Sequence, residues 1–264
     1  MTVHHRHLRT TLVMLVVGPL VLLAGCNQDA APADASMGAP ASSTASPEAD
    51  PLAGAPSVDA CYKMTVAKAA APTNDSNPVE CYSDHTTLTY YVGTFPDDAL
   101  EPDPDVMSKE CQKRLAAAMG LTKKQLVSSI FEPIYFEPTT SQWSSGARWY
   151  RCDAHAESGG KLRLMPSGST PVLYDGVPTE FTRCVDNRSG KGLYVTCNKA
   201  HDYRWAGYFQ AKGGKSYPSR ASFEKQGKGC YKFTGNGAYW VTWPLEPAWD
   251  AGDRDMNCYK QTKG

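Results

Sequence analysis

The chain has 264 residues, with 27 Lys or Arg against 27 Asp or Glu, so its formal net charge is zero. This length accommodates one or two domains. The balanced charge gives no sign of the basic surface typical of nucleic-acid-binding proteins, so we expect no nucleic-acid partner.

Residues 1–25 have the pattern of a lipoprotein signal peptide. A basic stretch, His4 to Arg9, precedes an apolar run, Leu12 to Leu23, which is shorter than the roughly 20 residues that a membrane-spanning helix needs. The run ends in Leu-Ala-Gly-Cys26, which resembles a bacterial lipobox. The alternative is an ordinary secretory signal with an incidental cysteine. We expect cleavage before Cys26, acylation of its thiol, for example by palmitate, and anchoring on the extracytoplasmic face of the cell membrane.

Residues 26–57 form the next segment, rich in Ala, Pro, Ser and Asp after the cysteine and almost without large apolar side chains. Such a composition buries too little surface to offset the entropy of ordering. We therefore predict a disordered tether between the lipid bilayer and the folded part.

Nine cysteines are present, and eight remain once Cys26 is assigned to lipid: Cys61, Cys81, Cys111, Cys152, Cys184, Cys197, Cys230 and Cys258. An even number in an exported protein indicates disulfides. The eight divide into two sets of four, and each set allows three pairings. We favour first with second and third with fourth, because Cys184 and Cys197 lie symmetrically about a predicted hairpin turn at Gly190-Lys191.

The pattern P-x4-W-x2-G-x-R-x3-C occurs twice, at 138–152 and 244–258. Its members after the proline are Trp143, Gly146, Arg148 and Cys152, and then Trp249, Gly252, Arg254 and Cys258. We predict that each copy closes a module. The tryptophan would be buried against the last disulfide, the glycine would form a turn, and the arginine would lie on the indole ring.

Other features recur between the two copies. Each half has a C-x3-H pair, and Tyr-Tyr-Val-Gly93-Thr-Phe95 aligns with Arg-Trp-Ala-Gly207-Tyr-Phe209. The sequence therefore predicts two tandem, disulfide-stabilised α+β modules, each with short antiparallel strands and one or two helices. Their predicted bounds are 58–155 and 180–262, with a linker at 156–179.

Local patterns place some elements. Residues 87–92 and 193–197 are rich in β-branched and aromatic side chains and are predicted strands. A helix is predicted over 106–119, capped by Asp105 and ended by Gly120, and a second over 123–130 with a capping box. A third is predicted from Pro218 through Lys225, ended by Gly227.

Together, the cysteine spacing, the C-x3-H pairs, the cysteine-bearing helix and the closing motif resemble the septum formation domain family. The resemblance covers about 58–155 and 180–262. It implies an exported, membrane-tethered protein of actinobacterial type with a role in envelope or septum biology, and it supplies no catalytic residues. The sequence departs from the family pattern around its histidines, where Asp84 and Ala200 stand in place of the usual proline and no glutamate follows at the usual position.

His85 and His201, which end the C-x3-H pairs, are candidate zinc ligands or bases. Zinc sites use four convergent ligands, and each half offers only one such pair. A Ser-His-Asp hydrolase would need a nucleophile motif, and the sequence has none. We therefore expect structural histidines with hydrogen-bonded rings, no metal and no cofactor.

The aromatic side chains of the second half are the candidate binding residues: Trp205, Tyr239, Trp240 and Trp243, with Trp249 as a further member. Stacking on sugar rings is one interpretation, and core packing is the other. We predict a non-enzymatic envelope lipoprotein that binds a protein or glycan partner. The alternatives are a metal-dependent or hydrolytic enzyme using His85 and His201, and a purely structural spacer.

Overall fold

The computed structural model describes residues 49–170, 173 and 175–262. The predictions for the signal peptide, for Cys26 and for nearly all of the tether lie outside this range. The described residues form an α+β structure with two antiparallel sheets, which belong to one compact unit. None of its helices is both long and apolar enough to cross a membrane.

The first sheet has the strand order β1-β2-β4-β3, with β5 paired to the end of β4. Its strands are β1 (Cys61–Tyr62), β2 (Thr87–Thr94), β3 (Phe131–Phe136), β4 (Trp149–Ser158) and β5 (Lys161–Leu162). The predicted strand at 87–92 is therefore confirmed, and it extends two residues further.

Four helices accompany this sheet: α1 (Val66–Ala69), α2 (Pro104–Met119), α3 (Lys123–Val127) and α4 (Thr140–Ser144). The cap of α2 is Asp103, and the prediction of Asp105 was wrong, because Pro104 suits the first helical position and Asp103 accepts from the next two backbone N–H groups. Gly120 ends α2 at φ 72° as predicted.

The predicted capping box of α3 is present, since the side chains and backbones of Thr122 and Gln125 bond reciprocally. The helix ends at Val127, three residues before the predicted end. The shortening occurs because Ser129 forms an isolated β-bridge to Thr182 and the chain then enters β3.

Helix α2 packs on β3 and β4 and supplies the core of the first half. Its buried residues recur every four positions and form one stripe: Met107, Cys111, Leu115 and Met119. They face Tyr150, Cys152, Ala154 and Ala156 of β4 in a single buried cluster.

The second sheet has the order β7-β6-β8-β10-β9. Its strands are β6 (Arg183–Asp186), β7 (Leu193–Thr196), β8 (Tyr203–Gln210), β9 (Tyr239–Thr242) and β10 (Asp255–Gln261). The predicted hairpin is confirmed, because β6 and β7 pair across the turn that contains Gly190.

Three helices follow β8: α5 (Arg220–Gly227), α6 (Tyr231–Thr234) and α7 (Glu246–Asp250). Helix α5 begins after Ser219, whose side chain accepts from Ser222 N–H, so the predicted start at Pro218 was two residues early. A 3-10 turn, Lys228–Cys230, continues the chain from α5 into α6.

The two sheets share one strand order, β1-β2-β4-β3 in the first and β6-β8-β10-β9 in the second. Phe95 N–H donates to Arg148, and Ala211 N–H donates to Arg254 in the same way. Phe95 therefore corresponds to Ala211, so the predicted alignment with Phe209 was wrong by two residues. In the corrected alignment His85 still corresponds to His201, and no gap is needed between the histidine and this position.

The segment 156–179, predicted as a linker, includes the end of β4 and packs on the first sheet. Met165 N–H donates to the His85 carbonyl at 2.9 Å, and Leu173 N–H donates to Met119 at 3.1 Å. Both Met165 and Leu173 are buried in the first core cluster. Much of this segment therefore adds to the core of the first half.

The halves also contact each other directly. Ile130 N–H donates to Phe181 at 2.9 Å, and the rings of Phe131 and Phe181 stack at 4.8 Å. Arg183 donates to the Ser129 carbonyl and forms an ion pair with Glu132 at 3.0 Å. The start of the second sheet is thus fixed against β3 of the first.

Candidate functional site

All eight cysteines form disulfides: Cys61–Cys81, Cys111–Cys152, Cys184–Cys197 and Cys230–Cys258. This is the favoured pairing of first with second and third with fourth. Each bond lies within its own half. The second bond of each half, Cys111–Cys152 and Cys230–Cys258, ties the helical segment to the long strand that carries the closing cysteine. The cysteines therefore support the frame on which the candidate sites are built.

The repeated motif has the same geometry in both halves. The guanidinium of Arg148 lies 4.3 Å from the ring centroid of Trp143, and that of Arg254 lies 3.7 Å from Trp249. Each arginine donates to the carbonyl of its tryptophan and to the carbonyl just before itself. The arginine therefore holds the turn between the short helix and the last strand.

The glycine of the motif is required by its backbone conformation. Gly146 has φ 100° and Gly252 has φ 98°, a region that side chains disfavour. The predicted turns are confirmed at both positions.

The two motif tryptophans differ in burial. Trp249 is fully buried, with its ring 5.6 Å from Phe223 and 6.1 Å from Tyr217. Trp143 is half-buried, 5.6 Å from Phe95. Cys230 and Cys258 lie outside the cluster that contains Trp249. The predicted core position is thus confirmed for Trp249, but its packing partners are aromatic rings instead of the disulfide.

The four candidate binding residues divide between the two faces of the second sheet. Across β9, β10 and β8 the register places Trp240 opposite Tyr259 and Tyr259 opposite Trp205. Cross-strand partners point to the same side of a sheet. Together with Tyr194 and Tyr203, they form what we call the aromatic face: Tyr194, Tyr203, Trp205, Trp240 and Tyr259.

The other two candidates point to the opposite side. Tyr239 lies with its ring 5.1 Å from Tyr231, and Trp243 stacks in parallel on Phe223 at 5.3 Å. Phe223 is fully buried, so Trp243 belongs to the core of the second half. Tyr239 and Trp243 therefore do not share a surface with Trp205 and Trp240.

The aromatic face has one buried member and four half-buried members. Tyr259 is fully buried, its hydroxyl has no hydrogen-bond partner among the described residues, and desolvation raises its pKa well above the ordinary value. Trp240 lies 6.0 Å from Tyr203, and the hairpin turn at Gly192 packs against its ring. Close packing on this turn fixes the orientation of Trp240.

Trp205 connects the aromatic face to a cleft that sequence reasoning missed. Its indole N–H donates to Asn257 at 3.0 Å, and Asn257 lines the cleft. The cleft has a volume of about 570 Å³ and lies between α2 and α3 on one side and residues 251–257 on the other. No local pattern could indicate it, because its walls come from segments that are far apart in the chain.

The cleft carries charge on both walls. Lys109, Lys113 and Lys123 line one wall, and Asp253 and Asp255 line the other. Lys123 and Asp255 form an ion pair at 3.2 Å across the cleft. Burial raises the pKa of the Asp253 carboxyl. Apolar side chains also line the cleft. A concave site with an apolar lining and a few charged groups is typical of ligand binding.

His85 and His201 make the same local contact. The Nδ1 atom of His85 lies 2.8 Å from the Ser83 carbonyl, and that of His201 lies 2.7 Å from the Lys199 carbonyl. His85 is buried, and neither ring lines the cleft. Within the described part of the chain, no group of three or more His, Cys, Asp or Glu residues is placed to hold a metal ion. The hydrogen-bonded rings agree with the structural interpretation.

A buried ion pair in the first sheet was also missed. Arg151 and Asp153, alternate residues of β4, are almost completely buried and contact each other at 2.9 Å. Asp153 accepts from Thr89 at 2.7 Å, and Arg151 lies over the rings of Tyr62 and Phe136. Desolvation raises the pKa of Asp153, while Arg151 opposes that shift. Only the alternation of charges along β4 could have indicated this pair.

Comparison with known proteins gave one finding. A family model described as septum formation matches residues 60–258, which include all four disulfides and both sheets up to the first half of β10. No curated protein and no solved structure gave a match. Since the match covers most of its length, the chain belongs to the septum formation family.

Proposed function

We propose that the chain is a non-enzymatic lipoprotein of the cell envelope that binds a glycan or protein partner through its aromatic face. Membership of the septum formation family supports a role in cell division or in the envelope. Acylation at Cys26 would anchor the protein, and residues 26–57 would extend the folded part from the bilayer.

The observation that carries this proposal is the row Trp240, Tyr259 and Trp205 on one side of the second sheet. The two tryptophans are two strands apart, or roughly 10 Å at the usual strand spacing. Their half-buried rings are held by Gly192 and Asn257, so they lose little freedom on binding. Fixed aromatic rings of this kind favour stacking on the apolar faces of sugars or on partner side chains.

Retention on isolated cell-wall glycan tests the proposal. The full lipoprotein would be solubilised in detergent and sedimented with this material, alongside a variant with Trp205→Ala and Trp240→Ala. We expect the double variant to lose at least about tenfold in retention, because two aromatic anchors are removed. Tyr82→Ala is the matched control, since Tyr82 is 84% exposed in the first half.

The folded state of each variant is checked by mapping the four disulfides and by thermal unfolding. Unchanged retention of a correctly folded double variant would exclude the aromatic face as the binding surface. Retention by neither protein, combined with capture of an envelope protein that the double variant loses, would assign the face to a protein partner.

The anchor has its own test. Cys26→Ala is expected to prevent acylation and to shift the protein from the membrane fraction to the soluble fraction. Labelling with radioactive palmitate measures the first effect, and fractionation measures the second. A variant that still partitions with the membrane would contradict the lipoprotein assignment.

We further propose that the two halves are tandem copies of one module. The common strand order, the equivalent disulfides and the repeated motif geometry support this origin. Peptide mapping under non-reducing conditions tests it, since a disulfide between the halves would contradict two separately stabilised modules. Among the contacts of His85 and His201 in the described part of the chain, none favours the enzymatic alternative.

A further inference from the structure

The edge strands of the two sheets differ in how their outward backbone groups are paired or blocked, and within the part of the chain that the structure describes one edge is neither covered nor blocked. An edge strand presents unpaired N–H and C=O groups, and proteins usually block such edges with proline, charge or a covering segment. Along the main strand order of each sheet, the outermost described strands are β1 and β3 in the first sheet and β7 and β9 in the second.

Two edges are covered by other parts of the chain. In β1, the Cys61 carbonyl accepts from Val79 N–H at 2.7 Å. In β7, the Tyr194 carbonyl accepts from Gly159 N–H at 2.8 Å, and Thr196 N–H donates to the Ser158 hydroxyl at 3.0 Å. Each of these strands therefore has a partner on its outer side.

The β3 edge is blocked by its own sequence. Its outward-facing position 133 is a proline, which has no N–H to offer a further strand. Glu132 adds a charge beside it, and this glutamate is 48% exposed. Both devices discourage pairing at this edge.

The β9 edge has neither device at the matching positions. By register, Cys152 pairs with Tyr135 and Cys258 pairs with Val241. Counting back from these pairs, Ala238 and Tyr239 stand where β3 has Glu132 and Pro133. From Phe233 to Leu245 the chain contains no Asp, Glu, Lys, Arg or His.

The direction of the free groups follows from one hydrogen bond. Gln261 N–H donates to the Ala238 carbonyl, so positions 238, 240 and 242 face β10. The N–H and C=O groups of Tyr239 and Val241 therefore point outward. Among the described residues, no backbone hydrogen bond beyond the β9–β10 ladder reaches these groups.

We propose that β9 pairs antiparallel with β9 of a second copy of this chain, about a two-fold axis at Trp240. In this register the outward groups of Tyr239 meet those of Val241 in the other copy, giving four hydrogen bonds. The neutral edge brings no like charges together, and two-fold pairing is the commonest symmetry of homo-oligomers. A continuous ten-stranded sheet results, with both aromatic faces on it.

Cysteine crosslinking in membranes tests this register in the full-length lipoprotein. Trp240→Cys would place two thiols on a non-hydrogen-bonded pair with Cα atoms about 4.5 Å apart, within disulfide range. Thr242→Cys is the matched control on the same strand and face, because its copies would lie too far apart. We expect a covalent dimer on a non-reducing gel for Trp240→Cys, several-fold more abundant than for Thr242→Cys.

Proline then separates backbone pairing from side-chain contact. Tyr239→Pro, added to Trp240→Cys, copies the blocked β3 edge and is expected to abolish the crosslink while the native disulfides and thermal unfolding stay unchanged. Tyr239→Ala removes the ring but keeps the N–H, and is expected to retain the crosslink. Equal crosslinking at positions 240 and 242, no crosslinking at either, or survival of the crosslink in the proline variant would overturn the proposal.

Discussion

The two sheets have one strand order but opposite chemistry on corresponding faces. In the first, Thr89 pairs with Asp153 just after a β-bulge, and in the second Trp205 pairs with Tyr259 just after a bulge. The first face is a buried polar network, whereas the second is an array of aromatic rings. A common frame thus supports an internal ion pair in one half and a largely half-buried set of aromatic rings in the other.

The largest expected effect is at the ion pair. Asp153→Ala would leave the Arg151 guanidinium buried without its partner, at a cost of about 3–5 kcal/mol in the free energy of unfolding. Denaturant titration measures this cost. Tyr259→Phe at the corresponding position removes a buried hydroxyl without a partner, so it is expected to leave stability equal or higher.

The double change Arg151→Met with Asp153→Ala is the control for that interpretation. We expect it to be less destabilising than Asp153→Ala alone, because no unpaired charge is left buried. Equal destabilisation would show that the loss comes from packing.

The motif tryptophans give the next contrast. Trp249→Ala is expected to destabilise by about 3–5 kcal/mol, because the ring is fully buried. Trp143→Ala should cost about 1–2 kcal/mol, since that ring is half-buried. Thermal and denaturant unfolding of both variants compare the two copies directly, and equal losses would mean that burial does not distinguish them.

The motif glycines separate strain from crowding. Gly252→Ala has open space around the new methyl group, so we expect only the conformational cost of about 1–2 kcal/mol. Gly146→Ala has a similar φ but also meets the side chain of Ala49, which adds about 1–3 kcal/mol unless the segment moves. A smaller loss at Gly146 than at Gly252, measured by denaturant unfolding, would contradict the described contact.

The smallest expected effect is the pH dependence that His155 of the first half contributes. Desolvation lowers the pKa of the buried His155 below its ordinary value. The folded state then binds fewer protons than the unfolded state, so stability falls as the pH drops below about 6.5. By register with Thr87 and Tyr203, His155 corresponds to Gln261, which does not titrate.

The variant His155→Gln copies the second half at this position. It should lose less stability between pH 7 and pH 5 than the parent protein, as measured by unfolding at each pH. An identical pH profile would show that other groups account for the acid sensitivity.

Sequence patterns predicted the local features well, because their causes are local. The capping box at Thr122, the stop at Gly120 and the turns at Gly146 and Gly252 all follow from residues within a few positions. The symmetry of one hairpin favoured the disulfide pairing that the structure has, without excluding the other pairings. The alignment of Phe95 with Phe209 failed, because matching letters cannot reveal which residues pair with Arg148 and Arg254.

The candidate site was predicted only in part. Trp205 and Trp240 share a face, as the binding interpretation requires, but Tyr239 and Trp243 lie on the other side. The alternation of side chains along β9 and its register on β10 determine on which side each residue lies. The cleft beside Asn257 and the burial of Arg151 depend on contacts between distant segments. Such contacts leave no periodic signal in either segment.

By itself, the sequence determined the class of the folded part and the two closing motifs, and it favoured one of three cysteine pairings in each half, because spacing along the chain fixes which groups lie within local reach. Only the tertiary structure decided which side of each sheet is buried, which aromatic rings stay accessible and which edge is left open. Those properties depend on what packs against a strand, and the packing partners of β4 and β10 include strands far away in the chain, β2 and β8.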